Sequence, residues 1–274
     1  MRWVVFNQKG GVGKSTLVSN LAAVAADDGE RSLVVDLDPQ GCSSHYLLGP
    51  RAKAARPNLA DFFEQSLAIR LFEESLRTFI HASPFEGLDV LPTQPVMETF
   101  HGKLEGRHKI YKLRDALAPL TGYEHVFFDT PPALNFFTLS ALIAAERVLI
   151  PFDCDDFSRR ALYGLLEVVE EVRQDHNPAL GVAGIVVNSF QPRARLPQQL
   201  VDELEAEGLP VLRPYVSASV KVRESHQVST PLVHYAPSHK LSGELRQLSA
   251  TLRRRPRRTG KGVESRAAAR CWTA

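Results

Sequence analysis

The chain has 274 residues, 44% of them hydrophobic and 23% charged, the make-up of a globular protein with room for one large α/β core or two small ones. Its 3 cysteines, Cys42, Cys154 and Cys271, are odd in number and far apart, which argues against a disulfide framework or a cysteine metal site and for a reducing cytosol. No segment approaches the length of a membrane span, and the net charge of +2 conceals an uneven distribution.

The first apolar run, Trp3–Phe6, reads as a strand. It is too short for a signal peptide core and flows straight into Lys9-Gly10-Gly11-Val12-Gly13-Lys14-Ser15-Thr16, so a cytoplasmic protein is expected. Three glycines in four positions let successive N–H groups curl inward around an anion, and the helical pattern Lys14–Asp27 adds the positive end of its dipole. Lys14 then reaches the terminal phosphates of a nucleotide, and the Ser15 hydroxyl ligates Mg²⁺. A standard phosphate loop has a glycine five residues before Gly13; this one has Gln8, followed by a second lysine, Lys9. One nucleotide does not need two lysines from one short loop, so the spare charge points to a phosphate of a neighbouring subunit.

A second strand, Ser32–Asp36, ends in a carboxylate, and Asp38 follows on the turn Pro39-Gln40-Gly41. Loops at the carboxyl edge of a parallel sheet converge on the ligand, which places Asp36 near the metal's hydration shell and Asp38 where it orients the attacking water. Arg51–Pro57 and short helices to about Leu76 read as an excursion from the sheet. Then come strand Leu88–Leu91, helix Lys112–Leu120 and strand His125–Asp129, whose apolar run into Asp129 is the Walker-B pattern for holding Mg²⁺ through water. Thr130, on an exit loop stiffened by Pro131-Pro132, is placed to sense a γ-phosphate.

Helices Leu134–Ala145, Ala161–Asp175 and Leu196–Glu207 alternate with strands Val148–Pro151, Val182–Asn188 and Val211–Tyr215. The strands are continuous apolar runs, as in a doubly wound, mostly parallel sheet covered by helices on both faces. Composition shifts near Leu252. Beyond it stand 8 bases and 1 acid out of totals of 33 and 31, so residues 1–252 carry 25 bases against 30 acids. One domain over 1–252 and a basic, disordered tail over 253–274 are expected, a tail of the kind that meets nucleic acid or anionic lipid.

Lys9–Thr16, Asp36-Leu37-Asp38-Pro39-Gln40-Gly41 and Asp129-Thr130-Pro131-Pro132, with the late turn Ala236-Pro237-Ser238, together resemble the deviant Walker-A ATPases of the ParA/MinD family. The resemblance runs from residue 1 to about 252. It implies a P-loop NTPase of the SIMIBI type that binds ATP and Mg²⁺ and forms a homodimer face to face in the ATP state. Lys9 would cross to the partner's phosphates, Lys14 and Ser15 would serve the chain's own nucleotide and metal, and Asp38 would position water. Asn188 matches the family's adenine-contacting asparagine. Two segments depart from the pattern: Pro151–Phe157 is more acidic, and the Ser-Glu-Ala-Pro-like run is altered at Arg223-Glu224-Ser225.

A membrane anchor of the MinD kind needs a bulky apolar helix face, and residues 253–274 offer only Val263 and Trp272. A cluster-bearing reductase would need cysteines after Asp129, and none follows there. The resemblance therefore implies a nucleoid-associated switch that binds DNA non-specifically and moves DNA or protein cargo, with a ParB-like or other protein stimulating hydrolysis. Arg193, Arg195, Arg213, Lys221, Arg223 and the cluster Arg253–Arg258 are the candidate phosphate contacts. The alternatives are a regulatory ATPase of a secretion or cellulose-synthesis system without DNA binding, or a metabolic or assembly enzyme on the same scaffold.

Overall fold

The computed structural model describes residues 1–68, 72–154, 156–191 and 194–254. Its strands are β1 (Arg2–Val5), β2 (Ser32–Asp36), β3 (His81–Ala82), β4 (Leu88–Leu91), β5 (His125–Asp129), β6 (Arg147–Asp153), β7 (Gly181–Asn188) and β8 (Val211–Leu212). They form one sheet in the order β3-β4-β2-β5-β1-β6-β7-β8, parallel throughout except at the short edge strand β3. The helices are α1 (Lys14–Asp27), α2 (Cys42–Leu48), α3 (Leu59–Leu67), α4 (His101–Gly106), α5 (Lys112–Leu117), α6 (Phe136–Ala144), α7 (Asp156–Asp175), α8 (Arg195–Ala206), α9 (Lys221–Gln227), α10 (Leu232–Tyr235) and α11 (Lys240–Arg254).

Alternation along each central strand feeds two cores. Val4, Phe6, Leu33, Val35, Phe128 and Ile150 point to one face, where α3, α6 and α7 pack through Phe63, Phe137 and Leu165. Trp3, Val5, Val34, Phe127 and Leu149 point to the other, covered by Leu17 and Leu21 of α1 and Leu241 and Leu245 of α11. Both faces being dry explains why the strands read as unbroken apolar runs.

Several boundaries moved for local reasons. The helix expected from Leu134 begins at Phe136 because Asn135 caps it, its Oδ1 accepting from the backbone N–H groups of Phe137 and Thr138, each at 3.1 Å. The strand expected to reach Tyr215 stops at Leu212, since Pro214 brings no N–H to a ladder. The body does not end at Leu252: α11 runs on to Arg254, and Arg253 is clamped to Asp28 and to Glu30, the latter at 3.2 Å. Arg253 therefore belongs to the folded domain rather than to a free basic tail. The remaining basic run from Arg255, and Arg193, lie outside the described residues.

The chain reverses direction across the sheet between β5, β1 and β6. Asp36 and Asp129 are register partners at the carboxyl ends of adjacent strands, with Val5 beside Asp129 on the other side. That topological switch point opens the crevice where open α/β sheets bind ligands.

Candidate functional site

The loop between β1 and α1 is fastened at both ends. Asn7 donates from Nδ2 to the Pro151 carbonyl at 2.7 Å, and its Oδ1 accepts from the Lys9 amide at 2.8 Å. Asn188, at the end of β7, donates from Nδ2 to the Val12 carbonyl at 2.7 Å. Gly13 has φ 88°, and a Cβ there would lie 2.4 Å from that same Nδ2, so conformation and space both require glycine. Gly10 and Gly11 are exposed while Val12 is buried. No side chain caps α1 and no acid lies in its first turn, which leaves its N–H groups and dipole for an anion.

Lys14 is buried, and its Nζ donates to the Lys9 carbonyl across the loop at 3.1 Å. Burial pushes its pKa down, while Asp129 and Asp38 pull it back up. Lys9 instead is half exposed, and its Nζ lies 3.4 Å from Asp153 Oδ2 at the end of β6. The acidity after β6 that departs from the family pattern is therefore where this lysine rests.

The carboxylates are held by two serines that sequence reasoning missed. Ser44 gives both its N–H and its hydroxyl to Asp36 Oδ2, each at 2.7 Å, and Asp36 Oδ1 accepts the Asp38 N–H at 3.2 Å. Ser43 donates to Asp129 Oδ2 at 2.6 Å, and the nearby Ser15 hydroxyl helps to hold the Asp129 pKa down against burial. Both serines lie in the first turn of α2, which starts at Cys42 straight after Gly41, the one signal that would have marked them as facing the strand ends. Asp36 thus spends its oxygens clamping the loop, whereas Asp129 Oδ1 is buried with no partner among the described residues. Burial raises Asp129 to about 6, and burial together with Asp129 raises Asp36. Asp38 is nearly buried, and one of its oxygens accepts the Gln40 N–H at 3.0 Å. Cys42 sits beside this acidic group and is pushed up to about 11 by burial and then by Asp36 and Asp129, so its thiol stays protonated. The Thr130 hydroxyl donates to the Val5 carbonyl at 2.8 Å, pinning β5 to β1.

Among the described residues no three His, Cys, Asp or Glu side chains converge as a self-sufficient metal site. Any cation here must bring other oxygens with it. A buried Asp129 oxygen without a partner among the described residues, with the Ser15 hydroxyl of the first turn of α1 nearby, suits a hard divalent cation carrying water and phosphate oxygens.

Of the five basic residues singled out as DNA contacts, Arg195 and Arg223 are exposed and form no ion pair among the described residues. Arg213 pairs with Glu205 at 2.9 Å and lies over the Tyr215 ring, and Lys221 pairs with Glu224 at 2.6 Å. Arg193 lies outside the described residues.

A doubly wound sheet with a glycine-rich loop leading into α1, and acids at the ends of β2 and β5, defines a P-loop nucleotide hydrolase. A family model described as an AAA domain matches residues 2–182. The chain is 36% identical over 238 residues to the chromosome-partitioning ATPase Soj of Thermus thermophilus, across 86% of this chain and 89% of that one. It is 32% identical over 234 residues to the chromosome partitioning protein ParA of Myxococcus xanthus, across 84% and 80%. Among solved structures, cobyrinic acid a,c-diamide synthase from Mycobacterium smegmatis with bound ADP and magnesium superposes with a TM-score of 0.78 at 26% identity, covering 92% of this chain and 94% of that one. The chain belongs to the ParA/MinD family of ATPases.

Proposed function

We propose that this protein is an ATP-dependent dimerising switch that binds DNA non-specifically and partitions or positions DNA or protein cargo. The observation that carries the reading is the pair of lysines with different fates: Lys14 is buried inside the loop, while Lys9 waits at its exposed rim against Asp153. Lys14 and the N–H groups of residues 10–16 bind the chain's own triphosphate. Lys9 leaves Asp153 and neutralises charge on the partner's triphosphate, so that two copies close only when both are loaded. Asn188 fixes the loop's shape beside the base. Mg²⁺ would be held by Ser15 and, through water, by Asp129, with Asp36 keeping the adjoining loop in place; bound there it neutralises charge on the β- and γ-phosphates. Asp38 orients the attacking water, and loss of the γ-phosphate contacts reopens the dimer. Closure doubles a surface bearing Arg195 and Arg223, with Arg213 and Lys221 exchanging carboxylates for DNA phosphates. A nucleoid-associated cytoplasmic protein stimulated by a ParB-like partner follows, and no helix among the described residues is long and apolar enough to cross a membrane.

The test is DNA retention and sedimentation with ATP. Wild type dimerises and holds DNA; Lys14→Ala loses both; Lys9→Ala binds ATP but stays monomeric; Asp38→Ala holds DNA and no longer lets go. A Lys9→Ala protein that still dimerises and retains DNA sinks the cross-subunit role. A second reading, an ATP-dependent amide-forming enzyme, draws on the likeness to cobyrinic acid a,c-diamide synthase. It predicts an ATPase accelerated by a small carboxylic acid and an amino donor and indifferent to DNA.

A further inference from the structure

The altered run Arg223-Glu224-Ser225-His226 has a structural consequence outside the mechanism above. Ser225 is buried, and its hydroxyl donates to the Val222 carbonyl at 2.8 Å, so in its 2.8 Å contact with Tyr46 Oη it is the acceptor. Tyr46 Oη in turn accepts the Leu232 N–H at 2.9 Å. A tyrosine ring fixed in this way is a rigid shelf. The His226 ring lies flat on it, with centroids 3.9 Å apart and planes 11° apart. The stack aims His226 Nε2 at Thr16 Oγ1, 3.1 Å away, in the first turn of α1 and one residue beyond the proposed metal ligand Ser15.

We propose that His226 is a positioning residue for the bound nucleotide, acting through the Thr16 hydroxyl and tying α9 to the loaded state of the phosphate loop. The inference rests on the nucleotide-binding reading of residues 9–16. A threonine hydroxyl has one proton to give. When Nε2–H donates to Oγ1, that proton is left for a phosphate oxygen; when Nε2 accepts, the hydroxyl has nothing to offer an anion. An arriving phosphate therefore selects the donor form of the ring, and α9 is held against α1 for as long as the anion stays. Burial, and then the neighbouring His45, lower the His226 pKa, so the ring acts as a neutral hydrogen-bond partner. Because α9 also carries Lys221 and Arg223, the contact connects nucleotide occupancy to one patch of the basic surface.

Two variants separate the hydrogen bond from the packing. His226→Phe keeps a flat ring on Tyr46 but has no donor, whereas His226→Gln keeps a donor of similar reach. Half-saturation by ATP and hydrogen exchange of the residue 221–227 amides are measured without DNA. His226→Phe should raise half-saturating ATP about fivefold, the worth of one ordinary hydrogen bond, with an unchanged melting temperature. His226→Gln should stay within about twofold of wild type. ATP should slow α9 exchange in wild type and in His226→Gln but not in His226→Phe. A Phe variant that binds ATP as wild type does, or whose α9 still responds to ATP, overturns the proposal alone. A wild type that takes up no ATP overturns this proposal together with the nucleotide reading.

Discussion

The two edges of the sheet treat buried charge in opposite ways. At the carboxyl edge, Lys14, Asp36, Asp38 and Asp129 crowd together, and Asp129 keeps a buried oxygen without a partner. At the amino edge, polar groups on the strand starts and on α11 are matched to one another. Trp3 Nε1 donates to His125 Nδ1 at 3.1 Å, which leaves the ring proton on Nε2 to meet Glu30 Oε2 at 3.0 Å, and Arg253 closes over Glu30 and Asp28. Arg31 and Tyr123 both reach Asp89, at 2.9 and 2.7 Å. The amino edge is finished by its own residues; on the proposed reading the carboxyl edge is finished by the cation and the anion of a bound nucleotide. Leaving electrostatic demand unmet at one edge is what makes that edge a binding site.

The strongest way to break the contrast is Asp129→Asn. Hydrolysis should fall by at least about 100-fold, while thermal stability holds or rises by up to about 1 kcal/mol, because a buried carboxylate with one unpartnered oxygen, facing Asp36, is removed. Paired calorimetry and phosphate-release assays check it; a large drop in melting temperature would make the carboxyl edge as structural as the amino edge.

A smaller effect should come from pH at the amino edge. Burial depresses the His125 pKa below 6.5 despite Glu30. The folded state then binds fewer protons there than the unfolded chain. His125 thus contributes its stability in full above about pH 6.5 and loses it as pH falls through the folded value. Acidification below about pH 6.5 should lower the wild-type urea midpoint relative to that of His125→Gln, a difference that cancels the opposite contribution of Asp36 and Asp129, whose raised pKa values favour the folded state as pH falls. A slope identical in wild type and variant would remove His125 as the cause.

The smallest expected effect is Arg253→Ala, a loss of about 0.5–1 kcal/mol that shrinks in high salt, with ATP hydrolysis unchanged. Denaturant titrations at two ionic strengths measure it. Loss of DNA retention in this variant at unchanged stability would return Arg253 to the nucleic-acid surface.

Much of the site was readable because its chemistry is local. Gly10 to Thr16 lie in one loop and one helix start, and Asp36 and Asp129 close apolar runs whose length fixes strand ends. What escaped was made by distance in the fold: Ser43 lies 86 residues from Asp129, and Thr16 lies 210 from His226. The unbroken apolar strands likewise implied a sheet covered on both sides but held no hint of β3, whose two residues pair antiparallel at an edge and carry no period.

The amino-acid order alone determined the fold class, the glycine-rich loop into α1 and the acids at the strand ends, because each depends on periodicity or on neighbours within a few residues. Only the tertiary structure decided which carboxylate keeps an open oxygen, which lysine is buried, which acids hold Arg253 and what α9 touches. Those outcomes depend on which groups the sheet's crossovers bring within hydrogen-bond reach away from water, and no short stretch of chain encodes that.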